Sequence, residues 1–122
     1  MKEKIVICDF PSKDEDFDEI RLTYVSDKFK GNGKTYTFIT VAVSHRDSGL
    51  VSCINAMNMD MLIEGIEAVG ITNIEDLERI SEAFKTNKKT FTKSLLFGYK
   101  SDGIKYLIKR REEYEKVYGE SV

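Results

Sequence analysis

Two adjacent arginines, Arg110 and Arg111, close a stretch in which cations alternate with rings. Between residues 85 and 111, nine Lys or Arg side chains stand against one acid, Asp102, and are interleaved with Phe91, Phe97, Tyr99 and Tyr106. Cations beside aromatic faces suit a ligand that carries phosphates and a flat base. Arginine adds a planar fork that grips phosphate through two parallel N–H bonds and stacks on a base. The remainder of the chain has the opposite sign. The first 84 residues hold nine basic and sixteen acidic side chains, so the net charge of −2 hides a concentrated basic segment.

Other groupings that could do chemistry lack parts. Gly31-Asn32-Gly33-Lys34-Thr35 resembles a phosphate loop, but the glycine required five residues before the Gly-Lys-Thr is Lys28. It reads as a hairpin turn. His45 is the only histidine and reads as a solvated turn residue, which leaves zinc sites and most nucleophile–base pairs without a second imidazole. The acidic run from Asp14 to Glu19 has neither the glycine nor the distal glutamate of a calcium loop. Met57, Met59 and Met61 read as core packing. Cys8 and Cys53 lie in strand-like apolar runs and read as buried, reduced thiols. No acid, base and nucleophile come together. The residues therefore argue against an enzyme, and no cofactor or metal is expected.

The elements that position these residues follow from periodicity. The chain has 122 residues, 41% of them hydrophobic, and reads as one domain over 1–122. No apolar run approaches membrane-spanning length, and the opening Met-Lys-Glu-Lys does not read as a signal peptide, so an intracellular protein is expected. Residues 4–9 read as a short central strand, 10–18 as an acidic loop with the only proline, Pro11, and 19–25 as a half-buried strand. Asn32-Gly33 is a hairpin signal that leads into a β-branched strand over 35–44. A second turn over 45–49 leads to a strand over 50–55. The spacing then becomes helical over 59–69, ending at Gly70. Thr72-Asn73-Ile74-Glu75 reads as a capping box, opening a helix with Leu77, Ile80 and Phe84 on one face. Residues 86–100 fit helix and strand spacing alike. Ser101 or Asp102 caps a last helix running to about Tyr118 and Gly119. The fold class is α+β: a four-stranded antiparallel meander over 1–55, then three or four helices over 56–122.

On the last helix, Ile104, Leu107, Ile108, Tyr114 and Tyr118 project onto one stripe, with Arg111 in its middle. A guanidinium within an apolar face costs several kcal/mol unless it is paired. An ion pair within the chain, a subunit contact or an external anion would each satisfy it. Lys109, Arg110 and Arg111 also read as a solvated face balanced by Glu112, Glu113 and Glu115.

The whole chain resembles the first type of anti-Thoeris sponge, a family of small phage proteins that capture a nucleotide alarm signal of bacterial immunity. The resemblance rests on length, the opening Ile-Val-Ile-Cys-Asp-Phe-Pro-Ser, the meander followed by helices, the late Phe/Thr-rich loop and the arginines of the last helix. It implies a homo-oligomer, a hexamer, in the cytoplasm of the infected host. Such a protein binds glycocyclic ADP-ribose isomers at subunit interfaces without cleaving them, and some members also take cyclic oligonucleotides at a separate site. Carried onto this chain, Phe84 or Phe91 is the aromatic residue over the adenine, and Arg110 or Arg111 the phosphate ligand. Asn87 and Thr90 are polar readers, and Lys88 and Lys93 are phosphate neighbours. Arg46 is the second-site candidate. This chain departs from the family pattern in one respect. The resemblance implies two arginines about one turn apart, whereas these are adjacent and project 100° apart, which leaves the role to one of them.

Sequestration needs affinity and slow release but no reaction, and a half-open site on one chain desolvates too little of its ligand. Obligate oligomerisation with the last helix at or near an interface is therefore expected. The competing reading is a protein-directed inhibitor or interaction module, such as an anti-CRISPR-like factor, that uses the basic segment 85–111 on an acidic partner or guide RNA. A nucleic-acid-binding accessory protein ranks last, because acids dominate most of the surface and no domain signature supports it. No membrane or nucleic-acid partner is expected of the sponge.

Overall fold

Alternation of apolar residues builds the sheet. In the computed structural model, which describes residues 3–28, 30–87 and 102–119, four strands follow in chain order: β1 (Glu3–Pro11), β2 (Phe17–Lys28), β3 (Thr35–His45) and β4 (Val51–Ala56). They pair antiparallel in the order β1-β2-β3-β4, a meander. The register places Leu22 opposite Val41 and Tyr24 opposite Ile39, with Cys8 and Ile5 beside them on β1 and Ile54 and Ala56 on β4. These side chains share one face, and it is the buried one.

Among the described residues, three helices follow: α1 (Met59–Ala68), α2 (Ile74–Thr86) and α3 (Asp102–Tyr118). Leu62 and Ile66 of α1, Leu77, Ile80 and Phe84 of α2, and Ile104 and Leu107 of α3 are buried in one cluster with the sheet's inner face. The architecture is α+β, with helices on one face of an antiparallel sheet. Among the described residues, no helix is long and apolar enough to cross a membrane.

Some local expectations change. Strand β1 extends through Pro11, and Phe10, expected in the acidic loop, is buried in the core. The cap of α2 is Asn73 rather than Thr72. Its side chain accepts from the Asp76 N–H, so the helix starts at Ile74. Asp76 sits at the third helical position, but its carboxylate does not reach back to the cap. It is fully buried and accepts from Ser12 Oγ at 2.6 Å and from the Lys13 N–H at 2.9 Å. The β1–β2 loop is thereby tied to the start of α2, where the helix dipole favours a carboxylate. His45 is half-buried at the end of β3, with Nε2 2.8 Å from Ser52 Oγ and its ring edge-on to Phe17. Of the methionines, Met59 is buried while Met57 and Met61 are exposed. Cys53, expected inside, is exposed, and both cysteines are free thiols.

Candidate functional site

The end of α1 shapes one wall of a cleft. Gly70 has φ +92°, a left-handed conformation that costs glycine nothing. Its N–H donates to the Glu67 carbonyl at 3.0 Å, and the Ile71 N–H donates to the Ile66 carbonyl at 3.2 Å. This pair of bonds is a Schellman stop, with Ile66 and Ile71 both buried beneath it. The turn sets Glu67, Ile71 and Thr72 side by side. Leu77 of α2 forms the floor, and α3 supplies the opposite wall through Leu107, Arg110, Arg111 and Tyr114. The cleft measures about 210 Å³, below the roughly 300–1,000 Å³ typical of small-molecule pockets. A broader surface groove of about 940 Å³ runs along the end of α3 and shares Arg111 and Tyr114 with it.

The two arginines diverge by 100°, yet both line this cleft, because it straddles the stripe between them. Arg110 Nη1 lies 3.0 Å from Glu67 Oε1, and both side chains are largely exposed. A surface pair of this kind is worth about 0–1 kcal/mol, so the carboxylate is separated from Arg110 at little cost. Arg111 is more enclosed. Its Nε lies 3.3 Å from Glu115 Oε1, one turn along the helix, and its Cζ sits 4.6 Å above the Tyr114 ring. Of the three ways to satisfy this guanidinium, the described residues supply the ion pair within the chain. The fork has five N–H donors, and the Glu115 contact uses the one on Nε. The stripe itself divides: Ile104 and Leu107 are buried, while Tyr114 and Tyr118 are exposed.

The remaining sequence candidates lie elsewhere. Phe84 is 3% exposed within the core cluster, so its ring offers no face to a base. The other ring named for that role, Phe91, lies outside the described residues, as do Lys88, Thr90 and Lys93. Asn87 is the C-cap of α2. Its Nδ2 donates to the Ala83 carbonyl at 2.8 Å and to the Ile7 carbonyl at 3.4 Å, tying the helix end to β1. Leu77 and Asn87 are ten residues apart on α2, about 15 Å along the axis. Within one chain, therefore, Asn87 does not share a site with Arg110 and Arg111.

Arg46 is engaged as well. Its Nε lies 2.9 Å from Asp18 Oδ1, and Nη2 donates to the Phe17 carbonyl at 3.2 Å, bracing the second hairpin against the start of β2. The neighbouring depression is lined by Asp14, Asp16 and Asp47, a field that opposes a second anion. Among the described residues, no group of three or more His, Cys, Asp or Glu is arranged to hold a metal.

Sequence reasoning missed Glu67, Ile71, Thr72 and Leu77 as cleft walls. The usable signal was Gly70, because a Schellman stop presents the residues on either side of it to the same space. No family model, curated protein or solved structure matches the chain.

Proposed function

We propose that the protein is a phage immune-evasion sponge. It binds cyclic nucleotide signals (glycocyclic ADP-ribose isomers, with cyclic oligonucleotides as a second class) and holds them uncleaved, so the effector is never activated. The observation that carries this reading is the cleft at α3. Two guanidinium edges and an exposed tyrosine ring stand around an apolar lining of Ile71, Leu77 and Leu107. Such a surface takes phosphates at its rim and a base against its floor. Nanomolar capture corresponds to about −12 kcal/mol. A cleft of this size encloses only part of a dinucleotide, so a second copy completes the enclosure, and the assembly is a hexamer. The partner's α3 would form the missing wall, and the resemblance assigns the stacking role to Phe91.

The test is capture followed by release. The protein is mixed with each cyclic ADP-ribose isomer, washed, heated, and the released material analysed by mass spectrometry. Intact ligand is expected, and a hydrolysed product would make the protein an enzyme. Arg110→Ala and Arg111→Ala should each weaken capture at least ten-fold, and Phe91→Ala or Tyr114→Ala by a similar factor. Glu67→Gln should strengthen it by up to about five-fold, the worth of the surface pair it removes. If both ring substitutions leave capture intact, the cleft is not the site.

One observation favours a second reading, a protein-directed inhibitor. Tyr106, Tyr114, Val117 and Tyr118 are all exposed on α3, and exposed rings beside arginines are common at protein interfaces. Binding of an acidic partner would fall steeply with salt and survive loss of the rings.

A further inference from the structure

The sheet has two edges, and they are built differently. Edge strand β1 carries Glu3, Lys4 and Asp9, ends in Pro11, and is kinked by a bulge between Val6 and Cys8. The Asn87 amide also occupies its Ile7 carbonyl. Each of these devices blocks the approach of another strand. Edge strand β4 has none of them. Its six residues, Val51-Ser52-Cys53-Ile54-Asn55-Ala56, include no charge, proline or glycine, and its pairing with β3 runs without a register shift. Among the described residues, no strand pairs with β4 on the side away from β3. Among the described residues, the exposed hydrophobic side chains include Val51 of this strand and its sequence neighbours Leu50 and Met57.

We propose that β4 pairs antiparallel with β4 of a second copy about a two-fold axis, joining the two meanders into one eight-stranded sheet. An uncharged strand offers nothing to select a charged foreign segment, whereas it is complementary to itself, as an isologous contact requires. The contact also closes. Once both β4 edges are joined, the outer edges of the joined sheet are the two protected β1 strands, so the chain dimerises through this edge without forming a fibre. Side-chain parity fixes which residues meet. A two-fold axis perpendicular to the sheet keeps Val51, Cys53 and Asn55 of each copy on the same face. Cys53 therefore lies opposite residue 51, 53 or 55 of its partner, whichever residue the axis crosses. This surface is separate from the α3 cleft: variants that keep the wild-type mass would overturn the β4 pairing and leave the ligand reading standing, whereas a monomeric wild type would overturn both.

The test uses like and unlike charge across that seam. Cys53 is exposed, so Cys53→Lys and Cys53→Glu are each accommodated by the fold, which far-UV circular dichroism checks. Like charges facing each other across strands are destabilising, and opposite charges attract. By size-exclusion chromatography with light scattering, each variant alone should show a two-fold lower mass than the wild type, and an equimolar mixture should return to the wild-type mass. Amide exchange over residues 51–56 should be slower in the wild type than in either single variant. A monomeric wild type, or variants that keep the wild-type mass alone, would overturn the proposal. So would a mixture that stays at the lower mass.

Discussion

Cys8 and Cys53 occupy similar apolar runs in the sequence yet differ in environment, because one lies on the inner face of β1 and the other on the outer face of β4. Burial pushes the Cys8 thiol up to about 11. A group whose folded pKa is raised contributes stability below its unfolded value and loses it as pH rises through the folded one. The Cys8 contribution is therefore complete below about pH 9 and disappears between about 9 and 11, a loss of up to roughly 3 kcal/mol. Tyr24 and Tyr36 are also raised, chiefly by burial and then by Glu3 and Asp27 respectively, and they act in the same direction. Urea unfolding of wild type and Cys8→Ala across pH 8–11.5 isolates the cysteine: the stability difference between them should shrink as pH rises. A difference that stays constant would place Cys8 in a polar setting. The inward placement of Cys8, which is partly buried against the core, was legible from its run, but the exposure of Cys53 was not. Val-Ser-Cys-Ile-Asn-Ala alternates apolar residues on both faces, so the pattern does not declare which face is buried. Phe84 was legible as a core residue from its spacing with Leu77 and Ile80, yet the resemblance offered the same ring as a base platform, which its burial rules out.

At the scale of elements, turn chemistry carried most of the fold. The Asn32-Gly33 hairpin and the Gly70 helix stop could be read directly, since Gly33 and Gly70 both adopt positive φ. Tertiary ties were hidden. Asp76 is one of four acids within 75–82 and looks solvated in sequence, yet Ser12, some sixty residues earlier, holds it buried. The packing of α1 on β4 was hidden too. A Cβ at Gly65 would overlap the end of the Ile54 side chain, with Cγ1 only 2.7 Å away. Gly65→Ala should therefore cost about 1–3 kcal/mol through overpacking. Ile54→Val removes the overlapping Cδ1, so the double variant should recover at least 0.5 kcal/mol relative to the sum of the single changes, as neighbouring sites do not add. Chemical denaturation of the four proteins measures the coupling, and strict additivity would mean that α1 does not lie against Ile54.

At the scale of the whole molecule, most of the exposed large apolar groups among the described residues lie on α3 or on and next to β4. If both places made two-fold contacts with axes that intersect, the assembly would be closed and dihedral, and a hexamer is one such assembly. The α3 cleft is too small to enclose a dinucleotide alone, and Asn87 stands at the other end of α2 from the arginines. Residues from different copies must therefore be combined if both are to touch one ligand. That combination was out of reach of single-chain periodicity, which fixes faces of elements but not contacts between copies.

What everything here depends on is a messenger retained intact in a cavity shared by neighbouring chains. Native mass spectrometry of the protein purified from cells that make the signal weighs assembly and cargo together. The account predicts a multimer of the 14.0 kDa chain carrying unmodified cyclic nucleotide, with the cargo lost in Arg110→Ala and Arg111→Ala. An empty monomer, or a multimer holding only a cleaved nucleotide, would contradict it.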